Sequence, residues 1–412
     1  MDFQKNPSKE YIVNEIRKEE IPIIIFGAGI VGEILSCFCK KEGIKIECFC
    51  DNNRSKAQSN FCDMEVIFTP DLKAKYKDAI FLITAADIKD IVQQLHESGY
   101  TKCFAGGPLL RDFDISQCPL DISMDFAEYA LGTCVLCHDY YLNPGQLFLR
   151  SVDVIVTERC SLKCKDCSNL MQYYKKPEDC DINQLLQSID AFCAVVDEVN
   201  ECRVIGGEPL MNKEFHLIVK RLIDEPKVKK IIIYTNGTII PNEKQMMSLR
   251  NKKVLVFITD YGLLSRNLSG FLQVLEKNDI SFFVRKATGW TNCSTIMRHN
   301  RSADRLREIY KDCCAKNLVT LSNGKLYRCP FTANAARLSA VPDYKDDYVD
   351  LFEEPLDDVN IHEVKNKVRE YLLNKEYLET CDYCNGRSLA DPEIPPAIQA
   401  SKPLEYQRYN ES

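Results

Sequence analysis

The sequence predicts an α/β protein in which short apolar strands alternate with amphipathic helices. Strands are indicated by β-branched runs at residues 21–26 and 152–156, and a helix by the helical spacing of apolar residues in 181–199. This alternation requires parallel sheets, because each helix returns the chain to the same end of the sheet. Polar motifs directly follow several strands, at the end of a parallel sheet where active sites gather.

Composition narrows the class of protein. A chain of 412 residues predicts two or three domains, at about 150 residues each. A net charge of −7 argues against nucleic acid or an anionic membrane as the main partner. The N-terminal segment is too polar for a signal peptide, and no apolar run approaches the ~20 residues of a spanning helix, so we expect a cytoplasmic protein. In that compartment, 21 cysteines favour metal or redox chemistry over disulfides.

Residues 1–110 predict a Rossmann-like, doubly wound domain. The strand at 21–26 leads into Gly27, Gly29 and Gly32, which form a G-x-G-x-x-G turn before a helix, and Asp51 follows the next strand. The other predicted elements are strands at 44–49, 79–84 and 102–104 and a helix at 88–98. The glycines could admit a phosphate and Asp51 could bind ribose hydroxyls, giving a nucleotide or nucleotide-sugar site. The same glycines could equally serve a tight turn without any ligand.

Residues 111–150 are interpreted as a connector. They contain Cys134, Cys137 and His138 in the C-x-x-C-H pattern of haem attachment, a modification that needs export from the cytoplasm. A zinc site with Cys118 lacks a clear fourth ligand. Incidental cysteines on a helix are the favoured interpretation.

A basic loop after the strand at 152–156 carries three cysteines. Cys160, Cys164 and Cys167 follow the spacing C-x3-C-x2-C. Soft thiolates suit iron–sulfur chemistry, and three of them could hold three irons of a cubane cluster while the fourth iron stays open. A zinc knuckle or buried thiols are the alternatives.

With its preceding strand, this motif resembles the signature of radical S-adenosylmethionine (radical SAM) enzymes, although Asp166 stands where many members carry an aromatic residue. The resemblance implies a [4Fe–4S] cluster whose open iron binds SAM, and reductive cleavage of SAM to a 5′-deoxyadenosyl radical that takes hydrogen from a substrate. It also implies an electron donor of the flavodoxin or ferredoxin type.

The resemblance extends over residues 151–300, which would form the family's partial (β/α)6 barrel. Two further motifs, G-G-E-P and T-N-G, follow strands of this segment. By residue match, they would hold SAM through Gly206, Gly207, Glu208, Thr235, Asn236 and Gly237. Thr259 and Asp260 are candidates for the ribose hydroxyls of SAM, although an Asp at a strand end is often a cap.

In residues 301–390, Cys314, Gly324 and Cys329 follow the spacing C-x9-G-x4-C, and Cys381 and Cys384 form C-x2-C. This pattern resembles the SPASM/twitch extension of these enzymes. Residues 318–326, centred on Asn323 and Gly324, predict a β-hairpin. The resemblance implies an auxiliary iron–sulfur cluster, with four cysteine ligands: Cys314, Cys329, Cys381 and Cys384. Cys313 is a rival to Cys314, and a structural zinc site is the alternative for the set. The tail at 391–412 is expected to be extended over the surface or mobile.

The expected function is a radical SAM oxidoreductase that oxidises a small molecule, with a carbohydrate or nucleotide-linked sugar favoured by the Rossmann-like unit. Epimerisation, with Cys202 or Cys313 as hydrogen donor, dehydration and peptide modification stay open. A metal-stabilised protein that senses a nucleotide is the competing hypothesis from another class. Four side chains at the barrel mouth could touch the substrate: Tyr261, Arg285, Trp290 and Arg298.

Overall fold

The computed structural model describes residues 8–57, 60–357, 360–406 and 409. The chain divides into two compact units, Met1–Gln146 and Leu147–Ser412. The beginning of the predicted first domain, residues 1–7, and the end of the predicted tail, residues 407–408 and 410–412, lie outside the described residues. Within those described ranges, no helix combines the length and the apolar character needed to cross a membrane.

The first unit is built on a six-stranded sheet. Its strands are β1 (Ile23–Phe26), β2 (Cys48–Asp51), β3 (Asn60–Phe61), β4 (Met64–Phe68), β5 (Ile80–Ile83) and β6 (Lys102–Ala105). They lie in the order β3-β4-β2-β1-β5-β6, and all pairs are parallel except β3 with β4. The order reverses at β1, as it does in a doubly wound sheet.

Helices cover both faces of this sheet. They are α1 (Lys9–Arg17), α2 (Ile30–Lys41), α3 (Leu72–Lys75), α4 (Ile88–Glu97), α5 (Gly107–Leu110) and α6 (Met124–Leu142). Alternate residues of one strand join opposite cores: Ile25 packs with α2, whereas Ile24 packs with α4. The segment predicted to be a connector contains α6, whose Ala127 and Leu142 contribute to these cores.

The second unit is built on an eight-stranded sheet. Its strands are β7 (Phe148–Thr157), β8 (Glu198–Gly206), β9 (Val228–Thr235), β10 (Val254–Asp260), β11 (Phe282–Lys286), β12 (Val319–Ser322), β13 (Lys325–Tyr327) and β14 (Tyr348–Asp350). Strands β7 to β11 are parallel and adjacent in chain order, so their carboxyl ends share one edge. The sixth parallel strand, β12, pairs with β7 rather than β11, and the sheet does not close.

One face of this sheet is packed by helices. The helices of the unit are α7 (Ile182–Val195), α8 (Phe215–Asp224), α9 (Glu243–Leu249), α10 (Leu268–Lys277), α11 (Ala303–Asp312), α12 (Pro330–Arg337) and α13 (Ile361–Asn374). Val154, Val204 and Ile233 point from successive strands into a core that includes Phe192 of α7 and Phe215 of α8. Short 3-10 turns complete both units at Thr69–Asp71, Ile115–Gln117, Met171–Tyr173, Pro209–Met211, Gly262–Leu264, Lys345–Asp347 and Glu379–Tyr383.

Most predicted elements are confirmed, and two boundaries were wrong. The helix expected over 181–199 ends at Val195, and β8 begins at Glu198. Val199 therefore belongs to the strand, where β-branched residues pack well. The strand expected at 44–49 begins only at Cys48. The predicted hairpin is present: β12 and β13 are antiparallel, and Asn323 and Gly324 take the positive φ angles of a two-residue turn.

Candidate active site

The three cysteines of the C-x3-C-x2-C motif lie on the irregular loop that follows β7. Cys160, Cys164 and Cys167 are each half-buried, and none forms a disulfide. Burial raises the pKa of all three thiols, and neighbouring thiols raise the pKa of Cys160 and Cys164 further. Backbone N–H groups of Met171 and Asn169 act in the opposite direction, lowering the pKa of Cys167. Donors of this kind stabilise thiolates, which are the ligands that an iron–sulfur cluster needs.

The loop is anchored on the end of β8. Gly207 donates its N–H to the Thr157 carbonyl at 2.9 Å, and Glu208 donates to the Arg159 carbonyl at 2.8 Å. A Cβ atom on Gly206 or Gly207 would lie 2.2 Å from the carbonyl oxygen of Thr157 or Arg159, respectively. The two glycines therefore allow the backbone of the cluster loop to reach β8. Both glycines thus have a structural role in the packing of this loop, independent of any ligand.

Glu208 joins the ends of β8 and β9. Its side chain is fully buried, and its carboxylate accepts hydrogen bonds from the Thr235 hydroxyl at 2.9 Å and the Asn236 N–H at 2.8 Å. The Leu210 N–H adds a third donor at 3.2 Å. Burial raises the pKa of Glu208 to about 7, although these hydrogen bonds favour its charged form. The predicted G-G-E-P and T-N-G motifs thus meet through direct hydrogen bonds.

Asn236 continues the network to the cluster loop. Its side-chain amide donates to Ser161 Oγ at 3.1 Å and lies 3.7 Å from Cys160 Sγ. Its side-chain oxygen accepts from Thr238. The next residue, Gly237, has a φ of +71° that disfavours other residue types. Glu208, Thr235 and Asn236 are therefore joined in one network that reaches the first cysteine through Asn236.

Thr259 and Asp260, the predicted ribose ligands, close the next strand end. Asp260 accepts the Gly262 N–H at 2.7 Å and so caps its own turn. The Ser265 hydroxyl donates to the Asn236 carbonyl at 2.6 Å and lies 3.3 Å from the Thr259 carbonyl. The structure brings both residues to the same edge as the cysteines, with the Asp260 carboxylate engaged in a local turn.

The donor set fits the expected cofactors. Within the described ranges, no three His, Cys, Asp or Glu side chains converge closely enough to hold a single metal ion. In a cubane cluster each thiolate binds a separate iron, so Cys160, Cys164 and Cys167 could hold three irons. The buried carboxylate of Glu208 supplies negative charge beside them, where the cationic amino group of SAM would be expected.

Residues 154–259 match the family model of the radical SAM superfamily. The matched segment contains the three cysteines, Glu208 and the T-N-G motif described above. The chain therefore carries a radical SAM domain. The superfamily implies a [4Fe–4S] cluster and SAM as cofactors.

Similar proteins match restricted parts of the chain. A GTP 3′,8-cyclase of Clostridium acetobutylicum is 35% identical over 99 residues, which is 22% of this chain and 30% of that protein. One from Alkaliphilus metalliredigens is 32% identical over 98 residues, 23% and 30% of the two chains. The chain thus matches less than a third of the length of these relatives. BtrN in complex with AdoMet and 2-DOIA is similar at 17% identity and a TM-score of 0.39, over 58% of this chain and 93% of that one.

A second family model matches the first unit of the chain. Residues 19–103 match the model called C2185-like, N-terminal.

Beyond the radical SAM domain, a cavity in the second unit collects several cysteines. Cys313, Cys329, Cys381 and Cys384 line it, together with Cys293. Cys314, the predicted ligand, is not among the described residues that line this cavity. Burial raises the pKa of Cys329, Cys381 and Cys384, and the Cys313 thiol raises each further. The set of thiols that face one another thus contains Cys313 in place of Cys314.

Two of the sulfur atoms in this cavity accept backbone hydrogen bonds. Cys329 is the N-cap of α12, and its Sγ accepts from the Thr332 N–H at 3.5 Å. Cys384 Sγ accepts from the Gly386 N–H at 3.3 Å. Such donors fit thiolates that carry an iron–sulfur cluster.

The face of the sheet opposite the helices carries side chains that periodicity alone did not identify. Arg203 donates to the buried carboxylate of Asp153, and its guanidinium lies 5.7 Å from the centre of the Tyr234 ring. Tyr234 stacks on Phe257 at 4.8 Å, and Phe257 contacts Phe283 at 5.3 Å. The signal was present in the sequence, since these residues occupy the alternate positions of strands whose other positions are aliphatic.

The four predicted mouth residues are spread over three locations. Tyr261 packs edge-to-face on Trp290 at 5.8 Å, and the pKa of Tyr261 is raised by burial and then by the cluster-loop thiols. Arg298 lies 3.8 Å from Asp382, beside the C-terminal cysteines. Arg285 is exposed on β11. Only the Tyr261–Trp290 pair adjoins the cluster loop.

In the first unit, two of the three loop glycines are required by the fold. A Cβ atom on Gly27 would lie 2.6 Å from Thr84 Oγ1, and one on Gly32 would lie 2.1 Å from the Gly27 carbonyl. A Cβ atom on Gly29 would meet nothing within 4 Å. Asp51 accepts the Ala28 N–H at 3.0 Å, so its carboxylate is already bound to the loop.

The C-x-x-C-H motif lies on α6. Cys134, Cys137 and His138 are buried. His138 Nδ1 accepts the Gly107 N–H and Nε2 donates to the Ala85 carbonyl, each at 2.9 Å. Both ring nitrogens are therefore engaged in hydrogen bonds to the backbone of the first unit. This agrees with a structural role for His138 rather than haem attachment.

Proposed function

We propose that this protein is a radical SAM enzyme that cleaves SAM reductively and removes a hydrogen atom from its substrate. The observation that carries the proposal is the connection of the cysteine loop to two strand ends, through Glu208, Thr235 and Asn236. When bound, the cluster and SAM supply the 5′-deoxyadenosyl radical. The chain supplies three thiolates and a buried carboxylate.

The substrate is proposed to be a carbohydrate or a nucleotide-linked sugar. The row of Tyr234, Phe257 and Phe283 offers flat apolar surfaces against which the C–H face of a sugar ring can pack. Asp153 and Arg203 lie beside this row and provide acceptors and donors for hydroxyl groups. The likeness to the two GTP 3′,8-cyclases covers only 22% and 23% of this chain, so it does not identify a substrate.

The reaction is proposed to be a two-electron oxidation. Loss of a hydrogen atom leaves a substrate radical, which must then lose one electron and one proton to give the oxidised product. An auxiliary cluster held by Cys313, Cys329, Cys381 and Cys384 is the proposed electron acceptor, because a cluster with four protein ligands can accept an electron without binding substrate.

Epimerisation is less well supported, because it needs a thiol that reaches the substrate radical. Cys202 lies in the helix-packed core and is fully buried, so it faces away from the aromatic row. Cys313 belongs to the C-terminal cavity. Neither of the two thiols considered for hydrogen donation is thus favoured.

The test of SAM cleavage uses anaerobically reconstituted protein with a strong reductant. We expect methionine and 5′-deoxyadenosine to form slowly even without substrate, and the Cys160→Ala/Cys164→Ala/Cys167→Ala variant to form neither. Equal amounts from the wild type and the triple variant would refute the proposal. With a substrate, oxidation in deuterated water predicts a product two hydrogens lighter with no deuterium at carbon. One carbon-bound deuterium without net mass loss would indicate epimerisation instead.

A further inference from the structure

The C-terminal tail, which lies outside the segment matched by the superfamily model, contacts the cysteine loop. Residues 398–400 run antiparallel to residues 163–165. Lys165 donates its N–H to the Ile398 carbonyl at 2.8 Å, and Ala400 donates to the Lys163 carbonyl at 2.6 Å. The centre of this short ladder is the bridge between Cys164 and Gln399.

The Gln399 side chain lies at the sulfur of the middle cysteine. Its Oε1 accepts the Lys163 N–H at 2.8 Å, and this contact fixes which end of the amide is the oxygen. Its Nε2 then donates to Cys164 Sγ at 3.3 Å and to the Ala397 carbonyl at 2.8 Å.

The tail is held on both sides of Gln399. Trp290 and Ile394 exchange backbone hydrogen bonds at 2.9 and 2.7 Å, and Leu404 donates to the Gln172 carbonyl at 2.8 Å. Tyr406 packs edge-to-face on Tyr173 at 5.3 Å. Gln399 is therefore placed by contacts that do not depend on its own side chain.

We propose that Gln399 is a positioning residue of the radical SAM cluster, and that its N–H···S hydrogen bond raises the reduction potential of that cluster. This inference rests on the proposed function. Reduction adds negative charge to the cluster and its thiolates, so a hydrogen bond to sulfur stabilises the reduced form more than the oxidised form. The same segment aligns the loop, because the Gln399 oxygen accepts the Lys163 N–H and the backbone of Ile398 and Ala400 pairs with Lys165 and Lys163, on either side of the cysteine.

The test compares two variants and one control by redox titration followed by electron paramagnetic resonance. Gln399→Leu removes both amide contacts with little change in size, whereas Gln399→Glu keeps an acceptor for Lys163 and replaces the N–H donor by a negative charge. Ser401→Ala is a neutral change at an exposed position of the same tail. The radical SAM cluster is identified as the one whose signal changes when SAM is added.

We expect both Gln399 variants to lower the midpoint potential, the glutamate variant more, while Ser401→Ala matches the wild type. The ratio of reduced to oxidised cluster at a fixed potential should fall roughly three- to tenfold, a shift of up to about 59 mV for one electron. Loss of only this cluster from folded Gln399 variants would also support the assignment. If Gln399→Leu does not fold, Gln399→Met, which also lacks the N–H donor and carries no charge, takes its place. A wild-type midpoint in the folded leucine or methionine variant would overturn the inference, whereas a wild-type protein without a SAM-responsive cluster would refute the proposed function itself.

Discussion

Glu208 and Thr235 connect two neighbouring strand ends through a buried contact, in which the Thr235 hydroxyl lies 2.9 Å from both carboxylate oxygens of Glu208. The carboxylate has a second role as the acceptor for the Asn236 N–H. Because Asn236 also contacts the cysteine loop, Glu208 positions that loop in addition to its proposed role as a ligand of SAM.

This dual role makes a prediction for Glu208→Ala. The variant leaves the buried Asn236 N–H without its acceptor, so we expect the free energy of unfolding to fall by about 1–3 kcal/mol, and the affinity for SAM to fall as well. Urea unfolding and calorimetric SAM titration measure the two effects. The control is Glu243→Ala, at an exposed position in the first turn of α9. Wild-type values for both quantities in Glu208→Ala would contradict the assigned role.

The auxiliary site makes a prediction about adjacent cysteines. Cys313 lines the cavity with Cys329, Cys381 and Cys384, so Cys313→Ser should lower the iron content and the visible absorption of the auxiliary cluster. Cys314→Ser should retain both, which makes it a matched control. Iron and sulfide analysis after anaerobic reconstitution distinguishes the two. Loss of iron from Cys314→Ser alone would restore the ligand set expected from spacing, and zinc in place of iron would refute electron transfer through this site.

The glycine loop of the first unit makes a paired prediction. Gly32→Ala would force a Cβ atom to 2.1 Å from a backbone carbonyl, so we expect a loss of unfolding free energy above roughly 2 kcal/mol. Gly29→Ala meets no atom within 4 Å and should fold normally. If this loop binds a nucleotide sugar, calorimetry with UDP-glucose should give about a tenfold weaker affinity for Gly29→Ala, because the added methyl group fills the space where the phosphate would lie. Equal binding by the wild type and Gly29→Ala would exclude a phosphate at this position.

His138 makes the stability of the first unit depend on pH. Burial lowers the pKa of His138 to about 4, below the ordinary value of 6.5, so the unfolded chain binds a proton more readily than the folded one as the pH falls below 6.5. The contribution of the neutral His138 to the free energy of unfolding is therefore fully present above pH 6.5 and is lost towards pH 4. It falls by about 2 kcal/mol between pH 7 and pH 5. Hydrogen exchange of β1 at the two pH values measures the loss. His138→Gln should remove this dependence, and His362→Gln, at an exposed position, should leave it unchanged. An undiminished dependence in His138→Gln would contradict the role of this imidazole.

The sequence predicted those features that depend on neighbouring residues along the chain. Alternating apolar positions predicted the strands, and each polar motif was correctly expected at a strand end, because parallel strands bring their carboxyl ends together. Two features could not be predicted in this way. The contact of Gln399 with Cys164 joins residues 235 positions apart, through a tail with no regular pattern. The choice between Cys313 and Cys314 depends on how the chain turns after α11, which adjacent identical residues do not reveal.

The pairing of β12 with β7 was equally inaccessible. Neither spacing nor composition assigns β12 to one edge of the sheet, because both edge strands offer backbone N–H and C=O groups for pairing. Likewise, alternation placed Tyr234, Phe257 and Phe283 opposite the aliphatic positions of their strands but did not decide which face of the sheet packs against helices. That choice depends on tertiary packing, in which the aliphatic face holds the helix-packed core.

The central claim is that Cys160, Cys164 and Cys167 hold a cluster with one iron open to SAM. The most direct measurement is electron paramagnetic resonance of the reduced Cys381→Ala/Cys384→Ala variant, which should lack the auxiliary cluster, before and after addition of SAM. We predict about four irons per chain and a signal whose g-values change when SAM binds. A signal that SAM leaves unchanged, or one that persists when Cys160, Cys164 and Cys167 are also replaced by alanine, would contradict the claim.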